Sequence, residues 1–95
     1  MVNVEGKEYL ESVTVANAYG LHARPAAEFV KLANRFEAQI LVGKDGLEVS
    51  GKSIMGVMML AAEKGSRLEI KACGVDAEEA VRALVNLVAG GFGED

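Results

Sequence analysis

The residues with the clearest capacity for chemistry lie in one segment, residues 20–27 (GLHARPAA), which holds the only histidine, His22, and the only proline, Pro25. Proline is tolerated in the first turn of a helix, because the N–H that it lacks would be unpaired there. A helix is therefore expected to begin close to His22, and its first N–H groups, together with the helix dipole, form a site for an anion. Arg24 adds a guanidinium that can bind phosphate through two hydrogen bonds. With no serine, cysteine or metal-ligating residue nearby, this combination indicates a histidine that itself carries a phosphoryl group. A lone histidine is more often a surface or helix-capping residue, and this segment alone leaves that alternative open.

The segments on either side of residues 20–27 show how His22 would be positioned. Residues 9–16 alternate in polarity and include the β-branched run Val13-Thr14-Val15, which predicts a strand. Residues 23–35 carry apolar side chains at helical spacing, which predicts a helix with one apolar stripe: Ala26, Phe29, Val30, Ala33 and Phe36. The candidate phosphate site would thus lie at a strand-to-helix junction, held by a helix that docks on a core.

The rest of the chain predicts a hairpin, a short helix, a strand and a last helix. Residues 38–43 and 47–50 are predicted strands joined by a turn at residues 44–46, since Asp-Gly between strands is a strong hairpin signal. Ser53 is a good N-cap for an apolar helix of about two to three turns, which we expect to end with Gly65 as its C′ residue. Residues 66–72 alternate and predict a strand. Residues 77–89 predict a helix in which Asp76 and Glu79 have the spacing of a capping box.

The element order β-α-β-β-α-β-α predicts an α+β fold, an open-faced two-layer β-sandwich. Four strands with one polar face and three helices with apolar stripes are expected to form a mostly antiparallel sheet that is covered on one face. The 95 residues have room for a single domain. Within it, we expect residues 1–8 to form a loose leader and residues 91–95 a frayed tail.

Composition and charge limit the classes of protein to consider. The net charge is −4 and the 10 Lys and Arg residues are scattered, which disfavours binding to nucleic acid or to anionic membranes. No apolar run approaches the roughly 20 residues that span a bilayer, and the N-terminus lacks the pattern of a signal peptide. One cysteine permits no internal disulfide, and one histidine permits no zinc cluster of usual spacing. We therefore expect a cytoplasmic monomer without a metal or another cofactor.

Residues 20–26 (GLHARPA) resemble the active-site signature of HPr, the histidine-containing phosphocarrier of the bacterial phosphoenolpyruvate:sugar phosphotransferase system. The resemblance covers about residues 10–93 and implies the same architecture, a four-stranded sheet covered on one face by three helices. It also implies that Nδ1 of His22 accepts the phosphoryl group. Arg24 and the backbone N–H groups of Ala23 and Arg24 would then stabilise the phosphate. Tyr19 stands where the family usually has a small or polar residue, so no hydrogen bond to the phosphate is assigned to it.

A second segment, residues 52–58 (KSIMGVM), resembles the regulatory serine segment of the same family. In members that use this regulation, a dedicated kinase phosphorylates the serine that corresponds to Ser53. Phosphoserine at a helix N-cap places about two negative charges on the helix N-terminus and stabilises the helix. An ordinary unmodified N-cap also explains Ser53. The helix that follows is too apolar to bury all its side chains, which predicts a partner surface made of Ala23, Ala27, Ile54, Met55 and Met58.

The resemblance implies a phosphoryl carrier that acts as a co-substrate and is not itself an enzyme. His22 would receive its phosphoryl group from phospho-enzyme I, which phosphoenolpyruvate charges, and would pass it to a sugar-specific enzyme IIA. One alternative is a regulatory HPr-like protein of nitrogen or carbon control, which an HPr kinase modifies at Ser53 and which binds a transcriptional regulator. Another is a ferredoxin-like sandwich that binds a metal or small molecule. The absence of a Cys-x-x-Cys motif and of a histidine cluster argues against the metal.

Overall fold

The computed structural model describes residues 7–94, and the predicted element order is confirmed there. The strands are β1 (Glu8–Thr14), β2 (Gln39–Lys44), β3 (Leu47–Ser50) and β4 (Arg67–Cys73). The helices are α1 (Ala23–Ala33), α2 (Ile54–Met59) and α3 (Ala77–Ala89), and a 3-10 turn at Gly91–Gly93 follows α3.

The four strands form one antiparallel sheet in the order β1-β4-β2-β3. Val13 of β1 lies opposite Leu68 of β4, and Val42 of β2 lies opposite Ile70 of β4. All four of these side chains are buried, whereas Arg67 on the alternate face of β4 is exposed. One face of the sheet therefore packs on the core and the other faces solvent. This is the predicted open-faced α+β sandwich.

Two amphipathic helices, α1 and α3, supply most of the helical side of the core. Their buried residues are Pro25, Ala26, Phe29 and Ala33 in α1 and Ala77, Ala80, Val81, Leu84 and Val88 in α3. Full burial of one large apolar side chain such as Phe29 or Leu84 stabilises the fold by about 1.5–3 kcal/mol. The position of α1 is thus fixed by packing, and with it the position of the helix start that carries His22.

Helix α2 is shorter than the sequence predicted. Ser53 is its N-cap, as predicted, but the helix ends at Met59 and not near Gly65. Leu60 and Ala62 are both buried, and the chain alternates between them with Ala61 in the left-handed region at φ 49°. A right-handed helix cannot continue through a residue with a positive φ, so α2 ends before Ala61. Gly65, predicted as the C′ residue, instead lies in the turn before β4.

The predicted capping box at the start of α3 is wrong. Asp76 occupies the N-cap position, but its side chain makes no capping hydrogen bond. Its two carboxylate oxygens instead accept hydrogen bonds from the backbone N–H groups of Glu37 and Ala38, at 2.9 and 2.8 Å. Asp76 therefore ties the start of α3 to the connection between α1 and β2.

The chain ends were predicted as a loose leader and a frayed tail. Most of the leader, residues 1–6, lies outside the described residues, and Glu8 already belongs to β1. In the predicted tail, Gly91–Gly93 forms the 3-10 turn and Phe92 is buried. The turn directs Glu94 back towards the start of α1, while Asp95 lies outside the described residues.

Candidate functional site

His22 is the N-cap residue of α1. Its backbone is extended (φ −72°, ψ −175°), and its carbonyl accepts the first helical hydrogen bond, from the N–H of Ala26 at 3.0 Å. Its side chain makes no capping hydrogen bond and is 41% exposed. The imidazole is therefore accessible from solvent at the N-terminal end of the helix.

The start of α1 presents unpaired backbone donors. The N–H groups of Ala23 and Arg24 bond to no residue in the described part of the chain, and Pro25 has no N–H. The Arg24 side chain is exposed in the same turn. These groups place positive potential next to His22, in the arrangement that favours an anion.

The loop before His22 is held by contacts with other parts of the protein. Leu21 is buried and donates its N–H to the carbonyl of Ala62 at 2.9 Å. Gly20 has φ 67° and lies so close to the backbone of Ala62 that a Cβ atom would collide with it. The buried side chain of Asn17 donates a 2.8 Å hydrogen bond to the carbonyl of Gly20. The position of His22 is thus set on both sides, by this loop and by α1.

Sequence reasoning missed two residues at the site, Glu94 and Asn17. One carboxylate oxygen of Glu94, Oε1, lies 3.2 Å from Nε2 of His22 and accepts a 3.0 Å hydrogen bond from Nδ2 of Asn17. The Glu94 side chain is only 16% exposed. Glu94 and His22 are 72 positions apart, and no local pattern connects them.

The electrostatics of Glu94 determine the direction of its hydrogen bond to His22. Burial raises the pKa of the Glu94 carboxyl, but hydrogen bonds from His22 and Asn17 and the charge of Arg24 outweigh burial. The pKa therefore lies below its ordinary value, and the group is a carboxylate near neutral pH. A carboxylate only accepts hydrogen bonds, so Nε2 of His22 must be the donor and must carry a proton.

Tyr19 lies beside the imidazole without a hydrogen bond to it. The two rings form an edge-to-face pair with centroids 6.4 Å apart, and Tyr19 is 83% exposed. The ring of Tyr19 therefore forms part of the exposed surface next to His22.

An apolar surface lies on α2, whose following segment is bonded to the His22 loop. Ile54, Met55 and Met58 are exposed, as is Met59, which was not among the predicted partner residues. Of the two α1 residues predicted for the same surface, Ala23 is exposed and Ala27 is half-buried. Exposed methionines adapt to different partners because their side chains are flexible and polarisable.

Ser53 is exposed at the other end of α2. Its Oγ accepts a 3.1 Å hydrogen bond from the backbone N–H of Gly56, which makes it a helix cap. The hydroxyl is therefore accessible, and Ser53 lies next to the apolar residues Ile54 and Met55.

Two kinds of feature are absent from residues 7–94. No group of three or more His, Cys, Asp or Glu side chains is arranged to hold a metal ion. Within the same residues, no helix has the length and apolar character of a membrane span.

Comparison with known proteins gives the family. A model of the HPr component of the phosphotransferase system, described by its phosphorylation site, matches residues 10–90. The phosphocarrier protein HPr of Neisseria meningitidis is 46% identical over 84 residues, which cover 88% of this chain and 94% of that protein. HPr-C-His of Thermoanaerobacter tengcongensis has a TM-score of 0.88 at 46% identity and covers 92% of this chain and 98% of that one. HPr of Bacillus anthracis has a TM-score of 0.83 at 51% identity, with coverage of 85% and 96%. The accessible histidine at the start of α1 thus lies in a chain that belongs to the HPr phosphocarrier family of the phosphotransferase system.

Proposed function

We propose that this protein accepts a phosphoryl group on His22 from phospho-enzyme I and passes it to a sugar-specific enzyme IIA. One observation carries the proposal. The imidazole of His22 is 41% exposed at the N-terminus of α1, next to two backbone N–H groups that bond to no described residue. A neutral imidazole is a nucleophile without the help of a base. The adjacent donors suit a group that brings negative charge.

The transfer needs one bond made and one bond broken. The lone pair of an imidazole nitrogen forms the new N–P bond, and the bond between phosphorus and enzyme I breaks with its electron pair leaving on the donor. Charge on the transferring phosphoryl oxygens would be stabilised by the N–H groups of Ala23 and Arg24 and by the Arg24 guanidinium. These contacts must stay modest, because the same group has to leave again for enzyme IIA.

The apolar surface on α2 would dock both partners. Enzyme I and enzyme IIA must each reach His22, so their interfaces overlap and each complex has to be transient. The exposed side chains of Ile54, Met55 and Met58 supply the apolar part of this surface, together with Ala23 and Ala27 at the start of α1.

The test is phosphorylation of purified protein by enzyme I and labelled phosphoenolpyruvate. The wild-type protein should take up label that is lost in acid, as expected for phosphohistidine, and should pass it to an enzyme IIA. His22→Ala should take up none, whereas Ser53→Ala should be labelled like the wild type. Acid-labile label that persists in His22→Ala would contradict the assignment of the acceptor.

We further propose that Ser53 is a site of regulatory phosphorylation. Its hydroxyl is exposed, and its position as the N-cap of α2 lets a phosphate interact with the helix without rearranging the fold. The added negative charge would lie beside Ile54 and Met55 and oppose the docking of acidic partners. Purified HPr kinase with ATP should add acid-stable label to the wild type and to His22→Ala, but not to Ser53→Ala. If the protein is labelled only on Ser53 and never by enzyme I, the regulatory alternative replaces the phosphocarrier function.

A further inference from the structure

The C-terminal segment holds the carboxylate of Glu94 against Nε2 of the His22 ring, at 3.2 Å. Phe92 is buried, and a Cβ atom added at Gly91 would come within ordinary contact distance, 3.6 Å, of the Asn17 side chain. The segment is thereby packed on the loop that precedes His22. From this anchor Glu94 reaches both Nδ2 of Asn17 and Nε2 of His22.

The contact gives the two nitrogens of the His22 ring different environments. Nε2 is bonded to the carboxylate of Glu94, whereas Nδ1 makes no hydrogen bond to any residue between 7 and 94. Because the carboxylate is an acceptor, the proton of the neutral ring belongs on Nε2. Nδ1 then keeps a free lone pair.

We infer that Glu94 is a positioning residue, which fixes the proton of His22 on Nε2 so that Nδ1 is the nucleophile for the phosphoryl group. This inference rests on the proposed function and adds to it a residue from the far end of the chain. This role of Glu94 differs from a purely structural one, because the contact determines which nitrogen of the ring carries the proton.

The contact between Glu94 and His22 would also stabilise the positive charge that the ring acquires during the transfer. When Nδ1 of the neutral ring forms its bond to phosphorus, the proton stays on Nε2 and the ring becomes positively charged. The carboxylate of Glu94 faces that charge through the hydrogen bond to Nε2. No proton has to leave, and the imidazole can release the phosphoryl group by taking back the electron pair on Nδ1.

Asn17 holds the carboxylate in place. Its side chain is buried, and its Nδ2 bridges the carbonyl of Gly20 and Oε1 of Glu94 at 2.8 and 3.0 Å. The bridge connects the carboxylate to the loop that sets the position of His22. The orientation of Glu94 is thus coupled to that of the ring.

The first experiment measures the tautomer of His22 in the unphosphorylated protein. Since the chain has one histidine, ¹⁵N-histidine labelling gives one pair of ring nitrogen resonances. They are read at about pH 8.5, where an ordinary histidine is neutral. The wild type should show a protonated Nε2 and an unprotonated Nδ1. In Glu94→Ala the ratio of the Nδ1–H to the Nε2–H form should rise about threefold to tenfold, as expected for loss of a hydrogen bond to a charged acceptor.

The second experiment measures the rate of labelling by enzyme I in the same variants. Glu94→Ala should be labelled about threefold to tenfold more slowly than the wild type, because the charged ring loses its partner. Glu94→Gln keeps an acceptor oxygen but no charge, so its tautomer ratio should stay near that of the wild type while labelling is slowed. Glu79→Ala removes an exposed carboxylate from α3 and should change neither measurement.

An unchanged tautomer ratio in Glu94→Ala would overturn the inference. Labelling that is unchanged or faster in Glu94→Ala would also overturn the inference. An unchanged rate would mean that the carboxylate does not assist the transfer, and a faster rate would mean that it competes with the phosphoryl group. If the wild type takes no label at all, the proposed function fails. The tautomer measurement needs no phosphoryl transfer and still decides whether Glu94 controls the ring.

Discussion

The N–H of Leu21 donates a 2.9 Å hydrogen bond to the carbonyl of Ala62, which joins the loop before His22 to the segment after α2. The loop therefore keeps its shape through a tertiary contact as well as through the helix that follows it. The apolar side chains of α2 and the imidazole are carried on segments that are bonded to each other. A change at this junction is expected to affect both stability and docking.

Gly20→Ala should disrupt this junction. The residue has φ 67°, and its new Cβ atom would collide with the backbone of Ala62 and Glu63, which cannot move aside as a flexible side chain could. We expect a loss of about 2 to 3 kcal/mol in the free energy of unfolding, measured by urea denaturation. Gly65→Ala is the matched control, because Gly65 has φ 90° with open space around its Cβ position. It should lose only about 1 kcal/mol, the cost of the backbone conformation. Equal losses in the two variants would show that the close approach at Gly20 does not matter.

Arg24→Ala should slow phosphoryl transfer without unfolding the protein. The side chain is exposed, so the free energy of unfolding should change by about 0.5 kcal/mol or less. Labelling by enzyme I should slow roughly 10-fold or more, because a guanidinium next to the reacting group is lost. Arg24→Lys should recover part of the rate, since lysine keeps the charge but not the bidentate geometry. Arg35→Ala, an exposed arginine beyond the far end of α1, is the control. A transfer rate that is the same in Arg24→Ala and the wild type would exclude Arg24 from the site.

The parts of the fold that sequence predicted correctly depend on local chemistry. The Asp45-Gly46 turn needs two residues with positive φ, and the structure has φ 52° and 86° there. The strand β4 follows from alternation alone, with Leu68 and Ile70 buried and Arg67 exposed. His22 was placed at a helix start because Pro25 restricts where α1 can begin. In each case neighbours in sequence determine the conformation.

The parts that sequence did not predict depend on contacts between distant segments. Glu94 reaches His22 only because Phe92 packs into the core, and a Phe in a glycine-rich terminus carries no periodic signal. Asp76 has the sequence context of a helix cap, yet its carboxylate accepts hydrogen bonds from the backbone N–H groups of Glu37 and Ala38 instead. Spacing along the chain cannot show whether the carboxylate of Asp76 will bind the N–H groups of its own helix or those of a distant segment.

Replacing Ser53 should separate its role as a helix cap from the effect of charge. Ser53→Ala loses the hydrogen bond from the N–H of Gly56 and should lower the free energy of unfolding by about 1 kcal/mol. Ser53→Asp keeps a capping acceptor, so its stability should stay near that of the wild type. Its charge beside Met55 should nevertheless slow labelling by enzyme I.

Ser12→Asp controls for the added charge in the Ser53 experiment. Ser12 is exposed on β1, and its Oγ accepts a hydrogen bond from Arg67, which can also pair with an aspartate. Labelling of Ser12→Asp should match the wild type. Slowing by the same amount in Ser12→Asp and Ser53→Asp would mean that net charge, and not the position of Ser53, determines the effect.

Asp76 should make the stability of the protein sensitive to acid. The pKa of the Asp76 carboxyl lies below its ordinary value, and the main cause is the hydrogen bond from the N–H of Glu37. The N–H of Ala38 and the charge of Lys52 also lower this pKa, whereas burial raises it. A carboxyl whose pKa is lower in the folded chain than in the unfolded chain stabilises the fold fully above the unfolded pKa. That stabilisation is lost as the pH falls through the folded pKa. The wild type should therefore lose stability below about pH 4.

Asp76→Asn tests this acid dependence, because an amide does not ionise and its NH2 group cannot accept the second backbone hydrogen bond. Near pH 7 the variant should be less stable than the wild type by about 1–2 kcal/mol, measured by urea denaturation. The difference should shrink as the pH is lowered from about 5 to 3, since the wild type loses the stabilisation that the variant lacks. Asp45→Asn removes an exposed carboxylate whose ion-pair partner among residues 7–94 is Lys44, so the acid-dependent loss due to Asp76 should persist in it. A constant difference between Asp76→Asn and the wild type across this range would show that the carboxylate of Asp76 does not bind the two N–H groups more strongly when it is ionised.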